Sequence, residues 1–212
     1  MKSNMKIELN RLCPDYIPHR DLEGSEVFLQ ESVVFQPGER IALQAQSGRG
    51  KSTVLNLIYG THRLCSGDVR CHGVEGARFD LRRKHLSYVF QDLRLFMELS
   101  ALENLKLNNA LTNFKSDREM QDMMQAAGLS EKMNAAAGTL SFGQRQRVAI
   151  LRALCQPFSW LMLDEPFSHL DDENAATMAT LIDEEVSKQG AGLLVSVLDD
   201  RGHLTFDRIL KL

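Results

Sequence analysis

The stretch that decides the fold reads Ile41-Ala42-Leu43-Gln44-Ala45-Gln46-Ser47-Gly48-Arg49-Gly50-Lys51-Ser52-Thr53-Val54-Leu55. It begins with a short apolar run typical of a strand, continues through a loop with two glycines, and enters a helix at Lys51. In such an arrangement the loop N–H groups and the positive end of the helix point at an anion, Lys51 adds a full charge, and Ser52 offers a hydroxyl to Mg²⁺. The alternative is a glycine-rich turn before an ordinary core helix. We predict a phosphate-binding loop whose contacts come from Ser47, Gly48, Arg49, Gly50, Lys51, Ser52 and Thr53.

One position departs from the strict Gly-x-x-x-x-Gly-Lys-Ser/Thr pattern, because Ala45 stands where the first glycine belongs. If the backbone needs a positive φ at this position, alanine costs on the order of 1 kcal/mol. The donors that contact phosphate come from Ser47 onward. We therefore expect nucleotide binding to survive this change.

The composition is that of an ordinary soluble globular protein. Of 212 residues, 43% are hydrophobic and 25% are charged, and the net charge is −3. This balance argues against general nucleic-acid binding, which needs an excess of Lys and Arg. No apolar run approaches the length of a membrane span, and residues 1–14 contain no apolar segment typical of a signal peptide. We expect a single domain over residues 1–212, placed in the cytosol and without a nucleic-acid partner.

The four cysteines are scattered along the chain without C-x-x-C spacing: Cys13, Cys65, Cys71 and Cys155. In a cytosolic protein this pattern is typical of reduced, partly buried thiols. His72 follows Cys71 directly, but a ligand set for a metal ion needs more members than these. We predict no metal site at the cysteines.

Strands and helices alternate along the chain, which predicts an α/β fold with a mostly parallel sheet and crossover helices. The expected strands are Lys6–Leu12, Val27–Phe35, Ile41–Gln44, Val69–His72, Leu86–Phe90, Trp160–Leu163, Leu193–Leu198 and Arg208–Leu212. The expected helices are Ser52–Tyr59, Phe142–Cys155 and Glu173–Lys188. Gly60 and Gly190 are expected to end the helices that precede them.

Two segments leave alternatives open. The basic stretch Arg78–His85 is predicted to be a solvated face, with contact to a membrane partner or to lipid head groups as the alternative. Residues 92–137 become helical and rich in methionine, and most of these methionines are predicted to fill the core. Leu95, Phe96 and Met97 could instead form a soft groove for a helix of a partner protein.

Two carboxylates follow an apolar strand at Trp160-Leu161-Met162-Leu163-Asp164-Glu165. A carboxylate at the end of a strand parallel to the one before a phosphate loop completes the Mg²⁺ shell from the far side, which is the role predicted for Asp164. Glu165 would face the γ-phosphate and could orient or deprotonate an attacking water. The alternative is a strand that merely ends in acidic loop residues.

A second anion site is predicted at Leu140-Ser141-Phe142-Gly143-Gln144-Arg145-Gln146-Arg147. Ser141 and Gln144 have the spacing of a capping box, which leaves helix N–H groups, including that of Gly143, open to an anion. A chain with one phosphate loop and a separate anion-binding helix favours a two-fold dimer in which each copy closes the nucleotide site of the other.

These motifs, in this order, resemble the ATP-binding subunit of an ABC transporter from about residue 6 to the C-terminus. Residues 45–52 resemble its Walker A loop, 160–164 its Walker B strand, 140–144 its Leu-Ser-Gly-Gly-Gln signature and 168–171 its D-loop. The resemblance implies that Glu165 and Lys51 are catalytic. It also implies that Gln91 is the Q-loop glutamine that contacts Mg²⁺, and that Tyr16 stacks on adenine. Ser141, Gly143 and Gln144 would contact ATP.

The resemblance further implies an overall architecture and a set of partners. The expected fold is a RecA-like P-loop core with a mostly parallel sheet, an antiparallel β subdomain, and an α-helical subdomain inserted at about residues 92–137. The expected ligands are ATP and Mg²⁺, with Ser52, Gln91 and Asp164 on the metal. The expected partners are transmembrane permease subunits and a second ABC ATPase subunit, identical or different, on the inner face of the membrane. The chain is most similar to the small stand-alone ATPases of the lipoprotein-release, macrolide-export and FtsE type.

Two further positions depart from the family pattern. Phe142 replaces the first glycine of the signature and adds bulk close to the nucleotide of the other subunit. The family histidine that contacts the γ-phosphate is replaced by Val197 or Leu198, neither of which can donate a hydrogen bond. His203 is a possible substitute. We hypothesise slow hydrolysis, or a partner ATPase that supplies a complete site.

Two other function classes are alternatives to the transporter subunit. A regulatory or division-type ABC ATPase would use ATP binding to hold a membrane complex together without transport. A small-molecule kinase could use the same phosphate loop, but it does not explain the segment from Ser141 to Gln144.

Overall fold

The computed structural model describes residues 4–198 and 202–212. The strands in these residues are β1 (Lys6–Pro14), β2 (Val33–Phe35), β3 (Arg40–Gln44), β4 (Leu64–His72), β5 (Leu86–Val89), β6 (Trp160–Asp164), β7 (Gly192–Val197) and β8 (Arg208–Lys211). The helices are α1 (His19–Leu22), α2 (Lys51–Tyr59), α3 (Arg78–Lys84), α4 (Ala101–Asn109), α5 (Asp117–Ala126), α6 (Phe142–Ala153) and α7 (Asp172–Gln189). Two short 3₁₀-helices lie at Ser130–Lys132 and Ala137–Thr139.

The larger sheet has five strands in the order β5-β6-β7-β3-β8, and all of its pairings are parallel. The prediction of an α/β fold with a mostly parallel sheet is confirmed. The strands β3, β6 and β7 are buried on both faces, which is why their sequences read as continuous apolar runs. Because the strands point the same way, the carboxyl ends of β3, β5, β6 and β7 meet at one edge, where open α/β sheets bind ligands.

The two faces of this sheet belong to two hydrophobic clusters. Along β6, Leu161 and Leu163 pack into one cluster with α6 and α7, whereas Trp160 and Met162 pack into the other with α2 and the smaller sheet. The side-chain alternation of a strand therefore holds β6 between two layers of helices and strands. This packing fixes the position of Asp164, the last residue of the strand, at the carboxyl edge of the sheet.

The smaller sheet is antiparallel, with the order β2-β1-β4, as the antiparallel subdomain of the resemblance implied. Trp160 connects the two sheets, because its buried indole N–H donates a hydrogen bond to the carbonyl of Met5 at 2.9 Å. The strand predicted at 69–72 is longer than expected and begins at Leu64.

The predicted strand at 27–35 is wrong in its first half, since only the last three residues pair as β2. The hydroxyl of Ser25 accepts hydrogen bonds from the N–H groups of Val27 and Phe28 at 3.1 and 3.0 Å. Leu29 then adopts a φ of 61° in the left-handed region. The chain therefore turns where β-branched and aromatic residues alone favoured extension.

Helix boundaries mostly lie within one or two residues of those predicted. Helix α6 ends at Ala153 and not at Cys155, because the N–H of Cys155 donates to the carbonyl three residues before it, at Arg152. This tightened last turn is common at helix ends. No helix in the described ranges is both long enough and apolar enough to cross a bilayer.

The basic stretch 78–85 forms α3, and the prediction of a solvated face is only partly right. Phe79 is 63% exposed, but Arg78 donates a hydrogen bond to the carbonyl of Ile58 at 3.2 Å. Arg82 donates to the carbonyls of Tyr59 and of the glycine after it at 3.0 and 2.8 Å. Two of the basic residues therefore satisfy the free carbonyls at the end of α2, where cations are also favoured by the helix dipole.

Residues 92–137 contain α4, α5 and the first 3₁₀-helix, packed against α6. Met120 and Met124 are almost fully buried, in agreement with a core role. Leu95 is also buried, whereas Phe96 and Met97 are 53% and 36% exposed. The three residues named as a groove are thus divided between the core and the surface.

One buried ion pair links this helical region to the parallel sheet layer. Lys115 and Glu185 are 4% and 10% exposed, and their charged atoms lie 2.6 Å apart. We expect the substitution Lys115→Met to lower the free energy of unfolding by about 3–5 kcal/mol, because it leaves a buried carboxylate without its partner. Urea denaturation of the purified protein measures this loss.

The exposed pair Lys106–Asp117 provides the matched control, since its charged atoms also lie 2.7 Å apart. Lys106→Met should change the free energy of unfolding by less than about 1 kcal/mol, the range of surface ion pairs. Equal losses in the two variants would show that burial does not determine the importance of the Lys115 pair.

Candidate nucleotide-binding site

The phosphate-binding loop lies between the end of β3 and the start of α2, at the carboxyl edge of the parallel sheet. Gly48 and Gly50 have φ values of 81° and 94°, a conformation that glycine adopts without strain. A Cβ atom on Gly50 would lie 2.8 Å from the ring of Phe28 and 3.2 Å from the side chain of Ile17. Backbone conformation and neighbours therefore both require glycine at position 50.

The backbone at Ala45 is not strained, because its φ is not positive. The described non-glycine residues with positive φ are Arg11, Leu29, Leu93, Arg94, Asn113 and Glu165, and Ala45 is not one of them. Its N–H donates a hydrogen bond to the carbonyl of Val197 at 3.4 Å, which ties the start of the loop to β7. The conditional cost of about 1 kcal/mol does not arise.

Lys51 is the first residue of α2, and its side chain is 4% exposed. The ammonium donates hydrogen bonds to the carbonyls of Ala45 at 2.7 Å and Gln46 at 3.3 Å. It also lies 3.3 Å from a carboxylate oxygen of Glu165. A buried cation needs such compensation, and these partners hold it inside the loop. The structure thus brings together the two residues that the sequence marked as catalytic.

Asp164 is the last residue of β6 and is 4% exposed. The hydroxyl of Ser196 donates to its Oδ1 at 2.6 Å, and the hydroxyl of Tyr88 donates to its Oδ2 at 3.4 Å. Burial raises the pKa of Asp164, while hydrogen bonds from Ser196, Ser52 and Tyr88 act in the opposite direction. A buried carboxylate surrounded by hydroxyl groups is a suitable ligand for a hard cation.

Glu165 occupies the left-handed region with a φ of 49°, which costs a residue of this type on the order of 1–2 kcal/mol. Its N–H donates to the hydroxyl of Ser196 at 2.9 Å. The side-chain amide of Gln146, on α6, donates to the carbonyls of Glu165 and Pro166 at 3.0 and 2.6 Å. These bonds hold the turn in which the carboxylate faces Lys51.

Gln91 follows β5 and lines a cleft of about 320 Å³ together with Ser52 and Asp164. The three residues predicted to bind the metal ion therefore share one cavity. Tyr88 also lines this cleft, with its hydroxyl toward the carboxylate. All three proposed ligands offer oxygen atoms, which Mg²⁺ prefers.

Tyr16 is half exposed in the loop after β1, and its ring lies 5.5 Å from that of His62. The next residue, Ile17, is one of the two side chains that surround Gly50. The structure therefore places the Tyr16 loop beside the phosphate-binding loop. This position suits a ring that stacks on a nucleobase.

The signature segment begins α6 with the predicted capping box. Ser141 accepts a hydrogen bond from the N–H of Gln144 at 3.3 Å, and the side chain of Gln144 accepts one from the N–H of Ser141 at 3.0 Å. The exposed ring of Phe142 lies 4.2 Å from the ring of His169. A Cβ atom on Gly143 would lie 2.9 Å from the carbonyl of His169, so glycine is needed there for close packing. Phe142 and Gly143 therefore both lie against His169, in the loop after Glu165.

The position of the absent family histidine lies at the end of β7. Val197 packs partly into the core and Leu198 is 46% exposed. His203 lines a cavity of about 190 Å³ that Glu165 also lines. Its Nε2 is buried without a hydrogen-bond partner among the described residues and lies 3.8 Å from an oxygen of Asp172. The ring of His203 also lies 5.6 Å from that of Phe167, in the loop after β6.

Sequence reasoning missed two residues of the site, Ser196 and Gln146. Ser196 is the penultimate residue of β7 and bonds to both carboxylate positions, Asp164 and Glu165. A polar residue near the end of a strand that pairs with β6 was the available signal. Gln146 lies one turn inside α6. Its role depends on the contact with the carbonyl of Glu165, which is distant in sequence and therefore not predicted by any local pattern.

The family model described as ABC transporter matches residues 30–168 of the chain. The chain is 36% identical over 199 residues to the lipoprotein-releasing system ATP-binding protein LolD of Psychrobacter arcticus. The aligned region covers 89% of this chain and 88% of that protein. It is 37% identical over 167 residues to the thiamine import ATP-binding protein ThiQ of Escherichia coli, which covers 77% of this chain and 72% of that protein.

Solved structures agree with these sequence matches. The dimeric structure of MJ0796, a bacterial ABC transporter cassette, superposes with a TM-score of 0.80 at 26% identity, over 97% of this chain and 94% of that chain. A dimeric post-hydrolysis state of the same cassette, bound to ADP and Pi, superposes with the same TM-score. The architecture of the chain therefore has known counterparts.

The burial of Asp164 gives a prediction about stability. Because burial raises the pKa of this carboxyl group, the charged form destabilises the fold. We expect Asp164→Asn to raise the free energy of unfolding of the nucleotide-free protein at pH 7 by about 1 kcal/mol, the usual scale for removing an unfavourable functional group. The gain should shrink as the pH falls through the raised pKa, since the wild-type carboxyl group then becomes neutral. Thermal unfolding at several pH values measures the effect.

Asp171, the N-cap of α7, is the control with the opposite sign. Hydrogen bonds from Asn174 and the charge of Arg147 lower the pKa of Asp171, so its charged form is favoured. Asp171→Asn should not stabilise the protein at pH 7. A stability gain at Asp171 equal to that at Asp164 would contradict the burial argument.

Proposed function

The chain belongs to the ABC transporter family of ATP-binding proteins, and on that premise we propose that two copies, or one copy and a similar subunit, close around two ATP molecules to drive a permease in the membrane. It is an ATPase of this family and the ATP-binding subunit of a transporter. In this arrangement residues 1–212 form one cassette, and the helices of residues 92–137 form an inserted subdomain that contacts the permease.

The observation that carries the proposal is the convergence of charged and hydroxyl groups at one edge of the sheet. Lys51 and Glu165 lie 3.3 Å apart, and Ser52 and Asp164 line the neighbouring cleft. The triphosphate of ATP would lie along the loop with the residues from Ser47 to Thr53. Adenine would stack on Tyr16.

The metal site suits Mg²⁺ on the evidence of its donors. Ser52, Gln91 and Asp164 share a cleft and offer a hydroxyl, an amide and a carboxylate oxygen. These residues would hold the ion, which supplies charge neutralisation at the β- and γ-phosphates when bound. Ser196 would keep the carboxylate of Asp164 oriented through the 2.6 Å hydrogen bond.

Glu165 acts as the general base in hydrolysis. A water oxygen bonds to the γ-phosphorus, the bond from that phosphorus to the bridging oxygen of ADP breaks, and the carboxylate takes the water proton. In the nucleotide-free protein, the carboxylate of this base is paired with Lys51. A triphosphate competes for the ammonium, and the released carboxylate is then free to accept a proton.

The second subunit completes each site. Ser141, Gly143 and Gln144 stand at the positive end of the α6 dipole, which attracts phosphate oxygens. The capping box uses the N–H groups of Ser141 and Gln144, so the backbone donor for phosphate would be Gly143. A related cassette, MJ0796, has a dimeric structure, which supports this arrangement. Phe142 adds an exposed ring to the surface that would meet the nucleotide of the partner.

The permease determines cargo and location. The named relatives LolD and ThiQ release lipoproteins and import thiamine respectively, so related ATP-binding subunits serve different transported molecules. The chain would therefore act on the inner face of the membrane through its permease. The longer overlap with LolD, 199 residues against 167 with ThiQ, favours a subunit of the LolD type.

We expect hydrolysis to be slow, because neither Val197 nor Leu198, the two candidates for the position of the family histidine, can donate a hydrogen bond to the γ-phosphate. The substitution Val197→His should raise kcat by about 10²- to 10³-fold, the effect of one well-placed donor. Glu165→Gln should lower kcat by about 10²- to 10⁴-fold while the protein still binds ATP. Phosphate release by the purified protein, with and without its permease, measures both changes.

The outcomes separate the remaining possibilities. An ordinary transporter rate in the wild type, with no gain from Val197→His, would rule out the slow-site hypothesis. An unchanged rate in Glu165→Gln would show that Glu165 is not the base. A stable ATP-dependent complex with a membrane protein, without transport in reconstituted vesicles, would favour the regulatory or division-type role.

A further inference from the structure

The segment after Gln91 contains two consecutive residues in the left-handed region. Leu93 and Arg94 have φ values of 61° and 47°. Neither residue belongs to the few types that adopt this conformation readily, which are glycine, asparagine and aspartate. Leu93 is nevertheless 4% exposed and packs in the core. Some contact must therefore hold this turn closed.

Arg152 supplies that contact from the last turn of α6. Its Nη2 donates to the carbonyl of Leu93 at 2.7 Å, and its Nη1 donates to the carbonyl of Arg94 at 2.5 Å. The two N–H groups of one guanidinium thus bind two successive carbonyls of the strained turn. The planar, forked geometry of arginine suits this arrangement, and lysine has no equivalent.

Both sides of this contact are themselves fixed. Asn108, on α4, donates to the backbone carbonyl of Arg152 at 2.9 Å. On the other side, the guanidinium of Arg94 lies 3.6 Å from the ring centre of Phe90 and pairs with Asp92. The turn is therefore held between the end of β5 and the end of α6.

Gln91 lies two residues before the strained turn and lines the cleft with Ser52 and Asp164. Asp92 and Arg94 line the same cleft, so the turn forms part of its wall. We propose that Arg152 is a positioning residue for Gln91: by binding the carbonyls of Leu93 and Arg94, it keeps the turn closed and Gln91 beside the metal-binding groups. The consequence for hydrolysis rests on the proposed function, whereas the contact itself can be tested without nucleotide.

The test uses the full chain with the substitution Arg152→Gln. Trypsin cuts after arginine, and the bond between Arg94 and Leu95 carries one of the two carbonyls that Arg152 binds. We expect the metal-free, nucleotide-free variant to be cut at this bond about tenfold faster than the wild type, since losing a charged hydrogen bond makes local opening easier. In the ATPase assay, kcat should fall and the Mg²⁺ concentration for half-maximal rate should rise, with ATP binding in the absence of Mg²⁺ unchanged.

Arg147 is the matched control, because it lies on the same helix and also donates to a backbone carbonyl, that of Ala127 at 2.6 Å. Arg147→Gln should leave the cleavage rate after Arg94 in the nucleotide-free protein unchanged. Arg152→Lys keeps the charge without the fork and should give intermediate values. All variants are compared at equal intervals below their melting temperatures.

Equal cleavage after Arg94 in Arg152→Gln and Arg147→Gln would overturn the proposal. So would a Mg²⁺ dependence of Arg152→Gln identical to that of the wild type. Absence of ATP turnover in the wild type, alone and with its permease, would instead overturn hydrolysis by Glu165 in this chain, and the cleavage comparison would still decide whether Arg152 holds the turn.

Discussion

A buried ammonium group is the constraint on which the site depends. Lys51 is almost completely removed from water, and its charge is compensated by two loop carbonyls and the carboxylate of Glu165. Leaving such a charge uncompensated would cost several kcal/mol. The partners come from separate parts of the chain, the loop after β3 and the end of β6. The parallel sheet must therefore hold these strand ends at one edge, with β7 between them.

The strand between them contributes more than spacing. Ser196, near the end of β7, donates to Asp164 and accepts from the N–H of Glu165. One hydroxyl thus orients the carboxylate of Asp164, the proposed metal ligand, and the backbone of Glu165, the proposed base. The order β6-β7-β3 places this hydroxyl opposite Asp164, because the two residues are paired across the ladder.

The parts of the fold that could be predicted are those with local signals. The apolar run of β3, the glycines of the loop and the capping box at Ser141 each depend on neighbours within a few residues. The turn after Ser25 was missed because one hydroxyl outweighed a run of strand-forming residues. The prediction of a solvated basic stretch was partly wrong, because Arg82 donates hydrogen bonds to carbonyls more than twenty residues away in sequence. Tertiary contacts, which leave no pattern in the sequence, decided these cases.

The left-handed turns show the same limit and reveal what α6 contributes. Glu165 and the residues at 93–94 adopt left-handed conformations that their side chains do not favour. Residue propensities therefore could not predict these turns. Both turns are held by side chains of α6, since Gln146 binds the carbonyl of Glu165 and Arg152 binds the turn after Gln91. The first contact lies near the start of the helix and the second at its end. A displacement of α6 at its Ser141 end would therefore act on both turns at once, because a helix moves as a rigid element. In the proposed dimer, where Ser141 meets the nucleotide of the partner, this helix would connect that nucleotide to Glu165, the proposed base, and to Gln91, the proposed metal ligand, of its own subunit.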